Sequence, residues 1–287
     1  MTETLFYIIT PSYNRPDLLI RNIKALRNQD YSNWIQVIVD DCSTDPMDAA
    51  FAIAGQDERH IVITSESNKG CNQMRNCALD YIETLKKTGY IVFVDDDDYL
   101  LPDALSWADH YLRESNIPWL AANCCFPDSK VASKIKKYGT LSYIDDYMFG
   151  KNIKGDLNHF IKTDVAHKVR FPENFKNGQE WAYYCQIAEH CQIQIINKNV
   201  KIIEYLEGGL TQNKVNSQEK LKVFSYKVEI LKRLVSPKKL SDQQVLLARE
   251  LIKNHNYSDA KKLLISILKY KFLSAKYYRY IFKVIFK

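Results

Sequence analysis

Short apolar runs and helical periodicities alternate through the first hundred residues. Leu5-Phe6-Tyr7-Ile8-Ile9-Thr10 is an apolar run that stops at Pro11 and reads as a strand buried on both faces. Over residues 17–28, Leu18, Leu19, Ile23, Ala25 and Leu26 recur at helical spacing, with Pro16 suited to the first turn. Ile35-Gln36-Val37-Ile38-Val39 predicts a second strand, stopped by Asp40-Asp41, and a weaker helix follows over roughly residues 46–54. A third strand, 60–64, ends near Asn68-Lys69-Gly70. The helix predicted over 71–87 places Met74, Cys77, Ala78, Tyr81, Ile82 and Leu85 on one face. Tyr90-Ile91-Val92-Phe93-Val94 then runs into Asp95-Asp96-Asp97-Asp98. This alternation implies an α/β fold with a mainly parallel, doubly wound sheet flanked by helices. Ligands bind such sheets outside the carboxyl ends of the strands. All four strands end in ligand-capable groups, so one rim is the expected site.

The second hundred residues are less regular, and the pattern turns helical from Ser217 onward. Leu221, Phe224, Val228, Leu231 and Leu234 form one apolar stripe, and Val245, Leu246, Leu251 and Ile252 another. Asn256 opens a further helix, and residues 269–287 mix aromatic with basic side chains. Charge divides the same way: from Lys214 onward there are 18 Lys and Arg against 5 Asp and Glu, and before it 22 against 29. An acidic body with a basic tail argues against a nucleic-acid grip spread over the whole chain. It favours one basic face aimed at something anionic. Aromatic and basic residues on one short helix suit a membrane surface with anionic head groups, or docking on the catalytic body or a second subunit in a homo-oligomer. No run of about 18 uncharged apolar residues occurs. The N-terminal residues lack a basic, apolar leader, and the seven Cys form no Cys-x-x-Cys pair. A cytoplasmic protein with reduced thiols is expected.

Four carboxylates in one turn repel each other unless they are solvated or bridged by a cation. Hard oxygen ligands at Asp95–Asp98 suit Mg2+ or Mn2+, which would also neutralise a diphosphate. Asp40-Asp41-Cys42-Ser43-Thr44-Asp45 suits either a helix cap or hydrogen bonds to a nucleobase and ribose. Arg75, one turn into the third helix, suits a surface ion pair or a phosphate. Other nucleotide sites fail on specifics. No Gly-x-Gly-x-x-Gly follows the first strand, and no Gly-x-x-x-x-Gly-Lys occurs.

Thr10-Pro11-Ser12-Tyr13-Asn14-Arg15, then Val39-Asp40-Asp41-Cys42-Ser43-Thr44-Asp45, then Asn68-Lys69-Gly70 with Arg75-Asn76, then Val94-Asp95-Asp96-Asp97-Asp98 with Leu101-Pro102-Asp103 stand in that order. Together they resemble the family 2 glycosyltransferases of GT-A fold, over roughly residues 5–212. The resemblance implies a GT-A domain over 1–213, with a nucleotide-binding half, 1–115, and an acceptor half, 116–213. A basic helical region, 214–287, follows. It implies a nucleoside-diphosphate sugar donor (foremost a UDP-sugar), a divalent Mn2+ or Mg2+, and inverting transfer to a glycan or lipid-linked oligosaccharide. Such work on surface polysaccharide places the chain at the inner face of the plasma membrane as a peripheral protein. By motif position, Pro11 and Tyr13 line the nucleotide pocket, Asp40 meets the base and Arg75 approaches the nucleotide. Asp95 takes the ribose side, Asp96 fills the variable position, and Asp97 is the metal ligand.

In the second half, Gly178-Gln179-Glu180-Trp181 stands where family members carry a Glu-Asp-Trp-like motif opening a helix. Glu180 is then the general base, with Gln179 replacing the usual Glu, and Trp181 either stacks on an acceptor sugar or staples the helix. A carboxylate at a helix start has its charged form favoured by the helix dipole. His159 begins a strand under the acceptor site and is expected as a packed polar residue. The loop Glu207-Gly208-Gly209-Leu210-Thr211-Gln212 lacks the His that many relatives offer to the metal. A sugar-phosphate nucleotidyltransferase is the rival enzyme, although its Gly-rich phosphate loop is missing. A catalytically decayed glycan-binding protein is the non-enzymatic rival.

Overall fold

The computed structural model describes residues 3–204 and 216–285. The chain divides into two units, Met1–Leu206 and Glu207–Lys287. The expected boundary at 213 and the loop 207–212 lie outside the described residues.

The first unit opens with β1 (Phe6–Ser12), α1 (Pro16–Arg27), β2 (Trp34–Asp40), α2 (Asp48–Ala54), β3 (His60–Thr64), α3 (Cys71–Thr84) and β4 (Tyr90–Phe93). These are the alternating elements read from the sequence, shifted by a few residues at their ends. The main difference is at Pro11, where β1 continues through the proline to Ser12. Backbone direction explains this. Phe6 N donates to Asn33 O and Ser12 O accepts from Asp41 N, so even-numbered residues face β2. Ile9 O accepts from Val94 N, so odd-numbered residues face β4. The last β4 partner in the ladder is Phe93, opposite Ile9. Pro11 therefore turns its missing N–H to a side where the neighbouring strand has ended, and no ladder bond is lost.

The chain continues through β5 (Tyr99–Leu100), α4 (Ala104–Ser115), β6 (Trp119–Cys125), β7 (Lys134–Ile135), β8 (Gly139–Leu141), a π-helical turn (Tyr143–Met148), β9 (Ile153–Lys154), β10 (Leu157–Lys162), α5 (Thr163–Ala166), α6 (Trp181–Ile187) and β11 (Ile193–Ile202). The main sheet runs β3-β2-β1-β4-β10-β6-β11-β5, with β8 beside β11. Its first four strands are parallel; β10 is antiparallel to both neighbours, β4 and β6. The sheet is thus parallel in the nucleotide half and mixed in the other. Phe6, Ile8, Val92, Leu105, Leu120 and Phe160 join both halves in one core. Burial of these six side chains at about 1.5–3 kcal/mol each makes the two halves one cooperative body.

The second unit holds α7 (Ser217–Leu234), α8 (Pro237–Lys253), α9 (Tyr257–Lys271) and α10 (Ala275–Ile285). It is the helical appendage that the apolar stripes predict. Asn216 and Glu219 close a capping box at α7, and Ser236 with Pro237 starts α8. Val245, Ala248, Ala260, Leu264, Ile267 and Tyr277 form a separate small core.

His159 is the packed polar residue that was expected. Trp119 Nε1 donates to its Nδ1 at 3.1 Å, so the ring is neutral with its proton on Nε2. Burial, with Lys201 adding to it, pushes its pKa down to about 3. The unfolded chain takes up this proton near pH 6.5 and the folded chain does not, so the neutral ring contributes stability above pH 6.5 that is lost as pH falls toward 3. Between pH 7 and pH 4 this one group should remove about 3 kcal/mol of unfolding free energy. Urea unfolding of the wild type and His159→Phe across that range checks it. The variant should show the smaller drop, and equal drops would refute the assignment.

Candidate active site

The rim of the parallel half gathers the predicted residues because β1, β2 and β4 end together and short loops leave each end. Ser12 Oγ, at the tip of β1, donates to Asp96 Oδ2 at 3.0 Å. Asp40 closes β2 and accepts from Ser43 N at 3.1 Å, so its carboxylate also caps its own turn. Asp41 spans the gap to the loop after β3, accepting from Lys69 N and Gly70 N at 2.7 Å each. The tight β-turn Asp95–Asp98 is closed by Asp98 N donating to Asp95 O at 3.0 Å. Pro11, in β1, is buried, and Tyr13, just beyond the strand, is 41% exposed.

The acidic turn is neutralised from within, which the sequence reading did not foresee. Arg75 Nη2 meets both oxygens of Asp95, at 2.8 and 3.0 Å. Arg15 Nη1 bridges Asp96 Oδ1 at 3.1 Å and Asp97 Oδ2 at 3.0 Å. Lys201, from β11, reaches Asp98 Oδ2 at 2.8 Å. β5 pairs Leu100 with Lys201, and that pairing delivers the ammonium to the turn. Three cations therefore answer four carboxylates, where the sequence had left solvation or a bridging cation as the ways to relieve their repulsion. The carboxylates outnumber these cations, since Arg75 is also shared with Glu180. Burial raises Asp96 to about 7 against the pull of Arg15, and raises Asp98 to about 6 against Lys201. Asp97 rises too, through burial and then the charge of Asp95. Burial works on Asp95 in the same direction, but Arg75 and then Lys201 outweigh it and hold its pKa below the usual value.

Asp95, Asp97 and Asp98 each offer one carboxylate oxygen, and the three oxygens lie within 4.8 Å of one another. That spacing and the hard donor set fit a small divalent cation. Asp96 is turned inward to Ser12 and Arg15 and is 4% exposed.

Glu180 comes from another part of the chain, and α3 brings it in. Asn72, fully buried in the first turn of α3, donates to Phe175 O and Gly178 O at 2.9 Å each and to Pro172 O at 3.2 Å. Asn76 exchanges two bonds with the Phe171 backbone, at 2.8 and 3.1 Å. Residues 171–178 are thereby laid along α3, and Glu180 follows as the N-cap of α6. Gln179 adopts a left-handed φ of 64°, and its Oε1 accepts from Trp181 Nε1 at 2.8 Å. Arg75 Nη1 then meets Glu180 Oε1 at 3.0 Å. One guanidinium, stacked over the Phe171 ring at 5.2 Å, links the turn after β4 to the start of α6.

The contacts of the turn that sequence reasoning missed are those of Arg15 and Lys201. Arg15 lies inside a recognised motif without a role, while Asp41 and Asp98 were read only as members of their acidic runs. Lys201, in a strand read as irregular, left no local signal.

Residues 7–117 match the family described as Glycosyl transferase family 2. The chain is 31% identical over 221 residues to an Escherichia coli protein, the UDP-Glc:alpha-D-GlcNAc-diphosphoundecaprenol beta-1,3-glucosyltransferase WfgD, covering 76% of this chain and 82% of that one. Against two other bacterial relatives it spans only 22% and 36% of their length. Among solved structures, S. aureus TarS 1–349 in complex with UDP-GlcNAc superimposes with a TM-score of 0.63 at 18% identity, covering 98% of this chain and 80% of that one. The mannosyltransferase PcManGT of Pyrobaculum calidifontis, in complex with GDP-Man and Mn2+, gives 0.56 at 14% identity, covering all of this chain and 85% of that one. At these identities the superpositions speak for the fold.

The packing of α3 against 171–178 yields a direct test at Gly70. Its φ of +92° and ψ of 161° belong to glycine, and a Cβ there would clash with the Lys176 carbonyl oxygen. Gly70→Ala should lower unfolding free energy by about 2 kcal/mol or more, read by urea titration. An unchanged midpoint would contradict the close approach.

Proposed function

This chain belongs to glycosyltransferase family 2, and on that premise we propose that it moves a sugar, with inversion, from a nucleoside-diphosphate sugar to a hydroxyl of a lipid-linked glycan. A UDP-sugar is the first donor to test. The observation that carries the reading is the shared guanidinium: Arg75 holds Asp95 of the acidic turn and Glu180 of α6 at the same time. Donor site and candidate base are therefore within one side chain's reach.

In this reading Pro11 and Tyr13 line the nucleotide pocket and Asp40 takes the base. Asp95 and Asp96 shape the donor side of the turn. Asp97, with Asp95 and Asp98, holds a divalent Mn2+ or Mg2+, which supplies positive charge for the leaving diphosphate. Arg75 adds a forked donor to the same phosphates. Glu180 takes the proton of the attacking acceptor hydroxyl, so a neutral alcohol need not expel the diphosphate unaided. Trp181, beside Glu180, offers a ring for an acceptor sugar. An undecaprenol-linked acceptor is supported by the name of the relative WfgD.

The second unit supplies a membrane-facing partner surface in this reading. Ile265 and Leu268 are exposed apolar residues on α9, Phe272 at its C-cap and Leu273 after it are exposed too, the latter at 86%, and Tyr278 and Phe282 are exposed on α10. Lys269, Arg279 and Lys283 are exposed beside them. Apolar groups that insert and cations that meet anionic head groups are the two components of interfacial binding. This would place the chain peripherally on the cytoplasmic leaflet; no described helix is long and apolar enough to cross a membrane.

Donor hydrolysis across UDP- and GDP-sugars with Mn2+ or Mg2+ should release nucleoside diphosphate, and a chelator should stop it. Asp97→Ala should cut turnover about 100-fold or more, and Glu180→Gln by 100- to 10,000-fold, as roughly expected for loss of a charge-bearing ligand and a general base, with circular dichroism unchanged. Consumption of a nucleoside triphosphate with a sugar phosphate would replace this reading with nucleotidyl transfer.

The full chain should also sediment with vesicles containing phosphatidylglycerol and not with pure phosphatidylcholine. Binding should fall at high salt and in Phe272→Ser/Leu273→Ser. A concentration-dependent dimer abolished by the same pair would mean that a second copy covers this face instead.

A further inference from the structure

A buried chain of polar side chains runs beneath the sheet from the acidic turn to the start of β3. Its hydrogen-bond polarity is fixed at one end. Asn22, on α1, directs Nδ2 at two main-chain carbonyls, Asp98 O at 2.8 Å and Asp95 O at 3.2 Å. Carbonyls only accept, so this atom is the amide nitrogen and Asn22 Oδ1 is left as an acceptor. Gln36 Nε2 donates to that oxygen at 2.7 Å and to Thr10 Oγ1 at 2.8 Å. Gln36 Oε1 must then accept, and its partner at 2.7 Å is His60 Nδ1, which therefore carries the ring proton. His60 Nε2 is left bare and faces Arg27 Nε at 3.3 Å. Arg27 in turn donates to Ile53 O at the end of α2. Thr10, Asn22, Gln36 and His60 are all at least nine-tenths buried. Every amide hydrogen of Asn22 and Gln36 is used, and each link permits only one direction.

We propose that Asn22, Gln36 and His60 are positioning residues that set the orientation of the Asp95–Asp98 turn. Asn22 grips the carbonyls at both ends of the turn, so the angle at which Asp95, Asp97 and Asp98 face outward depends on where its amide sits. Gln36 fixes that amide, and His60 fixes Gln36. Buried networks of this kind specify one geometry only when each member is satisfied, since any reversal leaves two acceptors or two donors facing each other. Position 60, on β3, thereby acts on the turn that follows β4, three strands across the sheet, without touching it. Its other charged neighbours, Asp57 and Arg59, lie on the loop before β3 and leave the relay itself uncharged.

The inference rests on the donor-site reading for its functional consequence, so the experiment reads the turn and the ligand separately. Hydrogen–deuterium exchange of the segment 94–101 and the affinity for UDP with Mn2+ are measured in the full chain for His60→Asn, His60→Asp, Asn22→Leu and Asp97→Asn. His60→Asn keeps a donor toward Gln36; His60→Asp puts an acceptor there; Asn22→Leu keeps volume and removes the grip, which preserves the test if the buried Asp fails to fold. Exchange in the turn should rise at least tenfold in His60→Asp and Asn22→Leu, beyond any change in strands remote from the turn, and stay near wild type in His60→Asn. UDP affinity should fall at least fivefold in the same two variants and within about twofold of wild type in His60→Asn. Equal behaviour of His60→Asn and His60→Asp, or unchanged turn exchange in Asn22→Leu, overturns the relay. Altered exchange with no UDP binding by the wild type sustains the relay and removes the donor-site reading.

Discussion

Concentrating four carboxylates in one turn at the edge of a packed sheet is the constraint that the rest of the first unit answers. Such a turn is tolerable only if cations reach it in fixed geometry, since desolvated like charges repel over several ångströms. Arg75 comes from α3, Arg15 from the N-cap of α1, and Lys201 from β11. Each is anchored by a strand of the sheet or by a helix that follows one, so the topology and the neutralisation of the turn are one problem. The mixed half of the sheet has its use here: β11 must pass β6 and then meet β5 for Lys201 to stand beside Asp98.

The neutralisation is incomplete, and it is uneven. Asp95, shared with Arg75, is held ionised, whereas Asp96 and Asp98 are pushed toward neutrality by burial. Three of the turn's oxygens converge, while the fourth carboxylate, Asp96, is spent inward on Ser12 and Arg15. The second major junction is α3, which carries Arg75 one turn in and whose Asn72 and Asn76 pin residues 171–178. A segment about a hundred residues distant in sequence is placed at the rim by amide side chains rather than by a strand.

Much of this was legible in the sequence because the relevant signals are local. Short apolar runs and helical stripes gave the strand–helix alternation, and four strand ends rich in polar groups gave the rim. His159 as a packed residue and the helical tail followed from the same patterns. Two polar residues in apolar contexts were also visible, Gln36 inside an apolar strand and Asn22 on the buried stripe of α1 with Leu19, Ile23 and Leu26. They are the signal of the buried relay, since a polar group placed where an apolar one would pack must have a partner.

What one sequence determined by itself is therefore the order of elements, the identity of the rim and the chemistry gathered there, all of which depend on neighbours a few residues apart. Tertiary structure alone decided who pairs with whom. Lys201 against Asp98, Arg75 between Asp95 and Glu180, and β1 running on through Pro11 beside a strand that had stopped each depend on contacts between distant segments. Charge balance and hydrogen-bond direction are properties of such contacts, and no local pattern encodes which partner will arrive.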